Sequence, residues 1–143
     1  MCLIVSENSE IKVAEENIVC YKVVYKLFPG IYESEFYAHL YTRSSLNKML
    51  DDVLAITQTC TTYKDSLGRS FTRYDNVIER GFHSFTCQED ACQYAVDKYS
   101  HNASYVVVKC MIPKGANYIK GTYGKHPNYV SNKIICLEEL KEV

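Results

Sequence analysis

The stretch Tyr105-Val106-Val107-Val108-Lys109-Cys110-Met111-Ile112, closed by Pro113-Lys114-Gly115, reads as a β-strand ended by a turn. Its valines are β-branched and stiff, and they suit a pleated surface better than a helix. Residues 18–27 have the same character and stop at Pro29-Gly30. Residues 133–140 read as a last strand, residues 2–5 as a short one and residues 35–41 as a return strand. Residues 77–85 read as extended chain.

Two segments carry helical signals. Ser45 can cap a helix running to about Ile56, with Leu46, Met49, Leu50, Val53 and Leu54 forming one stripe at i, i+3, i+4, i+7, i+8. Thr86 and Glu89 form a T-x-x-E capping box for a second helix running to about Tyr99, with an inner face of Ala91, Cys92, Ala95 and Tyr99. Residues 57–76 are polar, with Gly68 in the middle, and read as a long loop or a loose hairpin. After residues 117–120 comes a glycine-containing loop. Strands and helices that do not alternate strictly argue for an α+β domain. The expectation is a mainly antiparallel sheet with about two helices, in a single compact domain spanning residues 1–143.

A chain of 143 residues buries roughly 68–70% of its unfolded surface and needs no staple to fold. With 47% hydrophobic and 23% charged residues it sits in the globular range, so disorder is not expected. No apolar run approaches the length of a bilayer span, and the first residues lack the basic flank and cleavage site of a signal peptide. A cytoplasmic protein without membrane contact is expected. The seven cysteines are odd in number, and several lie inside apolar runs, as in Val19-Cys20-Tyr21 and Ile135-Cys136-Leu137. Reduced thiols packing as small hydrophobes follow from that setting. His83-x3-Cys87-x4-Cys92 lacks the tight Cys-x2-Cys pair of structural zinc sites, so no metal is assigned, and no cofactor either.

Charge placement carries the strongest hint of function. From Lys98 to Leu137 there is no Asp or Glu, whereas Lys98, Lys109, Lys114, Lys120, Lys125 and Lys133 fall there. The densest part, residues 113–133, alternates lysines with Tyr118, Tyr123 and Tyr129. Lysines beside aromatic faces suit a phosphate attached to a base or sugar. The competing reading is a solvated loop whose acidic partners lie elsewhere in the fold. A pI near 6.4 argues against bulk nucleic acid. The second feature is Arg80-Gly81-Phe82-His83-Ser84-Phe85, just ahead of a capped helix whose free amides favour anions. The competing reading for His83 is a hydrogen-bonded core histidine. No G-x-S-x-G, phosphate-binding or dinucleotide-binding glycine pattern occurs. No catalytic residue is assigned.

Gly81-Phe82-His83-Ser84-Phe85, the helix with Ala91, the run Val108-Lys109-Cys110-Met111-Ile112-Pro113-Lys114-Gly115-Ala116-Asn117-Tyr118, and Tyr129-Val130-Ser131-Asn132-Lys133-Ile134 resemble a group of short uncharacterised bacterial and phage proteins. The resemblance covers the start to about Tyr25 and then residues 79–140, and it implies no particular activity. The same order also resembles the second half of ADP-ribosyltransferases: a G-x-x-S strand, a helix, a strand ending in I-P-x-G-A, and a last strand. In that family a catalytic Glu opens the last strand. Ser131-Asn132-Lys133 stands there in this chain, and the nearest acids are Glu138 and Glu139. The resemblance therefore implies a scaffold that binds an ADP-ribose-like or nucleotide-like ligand without transferring it. Fold likeness is only an analogy for function.

The expected function is a non-catalytic binding protein for a small anionic, nucleotide-derived ligand. For a phage protein, sequestering a host defence signal would be such a role. The expected contacts are Arg80, Phe82, His83, Ser84, Lys114, Tyr118, Lys120 and Tyr123. Two alternatives stay open: an enzyme acting on a nucleotide or NAD-like substrate through His83 and Ser84, and an interaction protein without a small ligand.

Overall fold

The computed structural model describes residues 4–5, 10–28, 31–34, 40–42, 46–99, 105–123 and 126–140. In chain order the strands are β1 (Ile4–Val5), β2 (Lys12–Val13), β3 (Ile18–Phe28), β4 (Ile31–Ser34), β5 (Leu40–Thr42), β6 (Met49–Asp51), β7 (Ala55–Lys64), β8 (Ser70–Arg80) and β9 (Phe82–Phe85). Helix α1 (Gln88–Tyr99) follows, and then β10 (Tyr105–Ile112), β11 (Asn117–Tyr123), β12 (His126–Ser131) and β13 (Lys133–Glu139). One sheet runs through them in the order β6-β13-β10-β3-β9-β12-β11-β1-β8-β7, with β2 on β11 and the β4–β5 pair on β3. Every pairing is antiparallel. Among the described residues no helix is long and apolar enough to cross a membrane.

The mainly antiparallel α+β architecture agrees with the sequence, but α1 is the one helix among the described residues. The helix expected over residues 45–56 is not formed. Asn47 takes φ 62°, the left-handed region, in what would be its first turn. The amides of Asn47 and Asp52 donate to the carbonyls of Cys136 and Asn132, and β6 pairs with β13. The apolar spacing has a different origin: Leu46 and Leu50 pack on one core cluster, Leu54 and Ile56 on another, while Met49 and Val53 stay exposed. Tertiary strand pairing overrides a weak helical preference. Residues 57–76 take the hairpin option, with β7 and β8 paired from Ala55↔Arg80 to Lys64↔Ser70. The expected return strand falls partly on β5 and partly outside the described residues.

Opposed residues of antiparallel strands share a face. One face of β3, β9 and β10 carries α1: Ala91, Tyr94 and Ala95, spaced i, i+3, i+4, sit on Val23, Phe85, Tyr105 and Val107. The other face buries Cys20, Val24, Phe82, Val106, Val108, Cys110, Ile112, Ile134 and Cys136. Fully burying each such aliphatic or aromatic side chain is worth about 1.5–3 kcal/mol.

At the far end the sheet curls. β8 and β9 are separated by Gly81 alone, yet in the sheet β12, β11 and β1 stand between them. The path must therefore return on itself, and it does so around Ile78, Ile119 and Val130, with Leu54 and Ile56 against them. Gly81 makes the bend: its φ is +146°, and a Cβ there would lie 2.5 Å from Val130 Cγ1.

Helix α1 starts slightly later than the capping box predicts. The Ala91 amide donates to the Cys87 carbonyl at 3.3 Å and the helix begins at Gln88, so Cys87 holds the cap position in place of Thr86. Glu89 and Asp90 occupy the first turn, where negative charge is favoured. Asp90 also meets His126 of β12, Oδ1 to Nδ1, at 3.3 Å.

Candidate ligand groove

An open groove of about 700 Å³ is lined by Lys12, Val13, Ala14, Glu15, Glu16, Ile18 and Tyr118. It exists because residues 12–17 fold along the start of β11. Val13 and Lys12 pair with Asn117 and Tyr118. The Ala14 amide donates to the Ala116 carbonyl at 2.8 Å, and the Gly115 amide returns a bond to the Ala14 carbonyl at 2.9 Å. The Lys114 amide donates to Asn17 Oδ1 at 2.8 Å. The turn after β10 depends on Gly115, which has φ +91°. Pro113-Lys114-Gly115, first a strand stop in the sequence, is thus one wall support of the groove.

Tyr118 is half-buried and meets Tyr129 edge to face, with ring centroids 5.8 Å apart. Burial pushes the Tyr129 phenol above its usual range, and neighbouring Tyr118 adds to that. Lys12, Glu15 and Glu16 are exposed around the groove. Ile11 and Val13, beside it, are 48% and 60% exposed. The groove therefore offers an aromatic wall, an ammonium, two carboxylates and an apolar rim.

The residues expected to bind a ligand are distributed more widely. The two segments that carry them do adjoin, because β9 pairs with β12 from Phe82↔Ser131 to Phe85↔Asn128. Phe82, His83 and Ser84 are nevertheless buried, at 3%, 2% and 1% exposure, and none of them lines the groove. The free amides of α1 lie next to carboxylates of its own first turn. Arg80 is exposed and ion-paired with Asp52. Lys120 is exposed on β11, opposite Tyr129. Lys114 is exposed at the groove's supporting turn, and Tyr118 is in its wall. The Tyr123 side chain lies outside the described residues. The acid-free stretch finds acids across the sheet: Lys133 Nζ lies 3.5 Å from Asp51, and Lys109 is opposite Glu138.

Sequence reasoning missed Lys12, Glu15 and Glu16. The only local signal was Ile11 and Val13 standing in an otherwise polar segment. Among the described residues no group of three His, Cys, Asp or Glu side chains could hold a metal ion. No protein-family model, curated protein or solved structure matches the chain.

Proposed function

We propose that this chain is a non-catalytic binding protein for a small anionic, nucleotide-derived ligand held in the groove beside Tyr118. The observation that carries the reading is the joint presence of the Tyr118 ring and Lys12 in one groove, with Lys114 at its support. A half-buried ring gives a base or nicotinamide-like ring a stacking surface. An ammonium gives a phosphate a charge-assisted hydrogen bond. Glu15 and Glu16 suit sugar hydroxyls and exocyclic amines, and they oppose a polyanion. Among the described residues no thiol, imidazole or serine hydroxyl lines the groove. His83 and Ser84, on which the enzyme reading depends, are buried away from it.

The test is a calorimetric screen of mononucleotides, ADP-ribose and cyclic dinucleotides against the whole chain. Micromolar binding of one of them, lost in Tyr118→Ala, supports the reading. Absence of binding by all three classes overturns it. A second reading, an interaction protein without a small ligand, is favoured by the exposed Ile11 and Val13 next to the groove.

A further inference from the structure

None of the described cysteines lines the groove, yet three of them form a row inside the fold. In the strand register Cys110 of β10 stands opposite Cys20 of β3 on one side and Cys136 of β13 on the other. All three belong to the same buried cluster. The Cys110 sulfur lies 3.6 Å from the Cys136 sulfur and 3.5 Å from the Val108 carbonyl oxygen, so its one proton can go to either. Lys22 lies two residues from Cys20 on the same face and is 5% exposed. Its amine donates to the His83 carbonyl and sits over the Phe82 ring.

We propose that Cys136 and Cys110 are an oxidisable pair, which a peroxide converts to a disulfide joining β10 to β13. Directly opposed residues of antiparallel strands have Cα atoms about 4.5–5.5 Å apart, inside the range a disulfide bridges. The sulfurs need to close by only about 1.5 Å to reach bonding distance.

The two thiols are unlike. The hydrogen bond from Cys110, with help from nearby Lys22, holds Cys136 below the ordinary thiol range despite its burial. Burial holds Cys110 well above that range. Cys136, which keeps 3% exposure, is therefore the nucleophile, and Cys110 is the resolving thiol. Cys20 takes no part: burial pushes it up to about 12.

In the first step the Cys136 thiolate attacks one peroxide oxygen. The S–O bond forms, the O–O bond breaks, and the departing hydroxide takes up a proton to become water. Cys136 is then a sulfenic acid. In the second step the Cys110 sulfur attacks that of Cys136. The S–S bond forms, the S–O bond breaks, and the hydroxyl leaves as water with the Cys110 proton. The two thiols together lose two electrons and two protons, and the peroxide is reduced to two waters.

The experiment treats the reduced, folded whole chain with hydrogen peroxide, unfolds it in alkylating agent and maps the peptides. The expected result is a Cys110–Cys136 linked peptide, loss of two of the seven alkylatable thiols, and reversal by dithiothreitol. Cys110→Ser, which keeps a hydrogen-bond donor beside Cys136 but cannot form the disulfide, should instead leave a sulfenic acid on Cys136 that dimedone traps. Exposed Cys60 is the internal control. If Cys110 and Cys136 remain fully alkylatable when Cys60 has been consumed, the proposal is overturned. The wild-type map decides this even where a variant fails to fold.

Discussion

The side-chain nitrogen of Lys22 donates to the carbonyl oxygen of His83 at 2.7 Å, joining β3 to β9 across a face that carries apolar side chains and three thiols. A buried amine is deprotonated more easily than an exposed one, and burial holds Lys22 below its ordinary value of 10.5. The folded state therefore binds fewer protons at this site than the unfolded state as pH falls below 10.5. The sign follows: the stability that Lys22 contributes rises with pH between its folded pKa and 10.5. Lys22→Met removes the titration and keeps the length. Urea unfolding of both proteins across that pH range should show wild type gaining on the variant, by at most about 1.4 kcal/mol per pH unit. A difference that stays flat with pH would mean that Lys22 titrates equally in both states.

Gly81→Ala should cost at least about 2 kcal/mol in chemical denaturation, because a methyl group collides with Val130 and the φ of +146° disfavours any side chain. Gly68→Ala, where φ is +77° but the space is open, should cost less. Equal losses at the two sites would remove the steric part of the argument.

Asn128 has no exposed surface, and neither polar atom of its amide has a hydrogen-bond partner among the described residues. An orphaned buried polar group costs about 1–3 kcal/mol. Asn128→Leu, which fills a similar volume, should raise the thermal midpoint. A lowered midpoint would show that the amide is satisfied by water in solution.

For the groove, Tyr118→Ala and Lys12→Ala should each weaken the ligand by roughly tenfold or more, the loss expected for one stacked ring or one phosphate contact. Arg80→Ala should leave affinity unchanged, since Arg80 is paired with Asp52 and lies outside the groove lining. Titration calorimetry separates these outcomes. Loss with Arg80→Ala but not with Tyr118→Ala would move the site to the β8–β9 junction.

The elements legible in the sequence are those whose environment is uniform along their length. β3 and β10 are buried on both faces at their centres, so Val23, Val24, Val106, Val107 and Val108 read as a continuous strand. Helix α1 has one inner stripe and a turn signal ahead of it. Residues 60–72 of the β7–β8 hairpin are almost wholly exposed on both faces, so no apolar alternation marks them. Residues 46–56 change neighbours twice, from the thiol-bearing face to β13 and then to the curled end. The resulting spacing imitated a helix. For the site, donors and aromatics in Gly81-Phe82-His83-Ser84-Phe85 carried no sign of their burial, because exposure is set by β12 and α1 rather than by the segment itself. The chemistry at Lys12, Glu15 and Glu16 is that of any surface, and only the fold of residues 12–17 along β11 makes it a groove.

The strand order also sets a timetable for synthesis. β4 can zip onto β3 as soon as both are made, but the other edge of β3 is matched to Tyr105–Ile112, and Ile4 is matched to Val77 and Thr122. Pairings this distant make folding slow. Until the last third emerges from the ribosome, β3 offers Val23, Val24 and Tyr25 on an open edge, the kind of surface that chaperones cover and that aggregates in their absence. Chains cut before residue 105 should therefore accumulate in inclusion bodies.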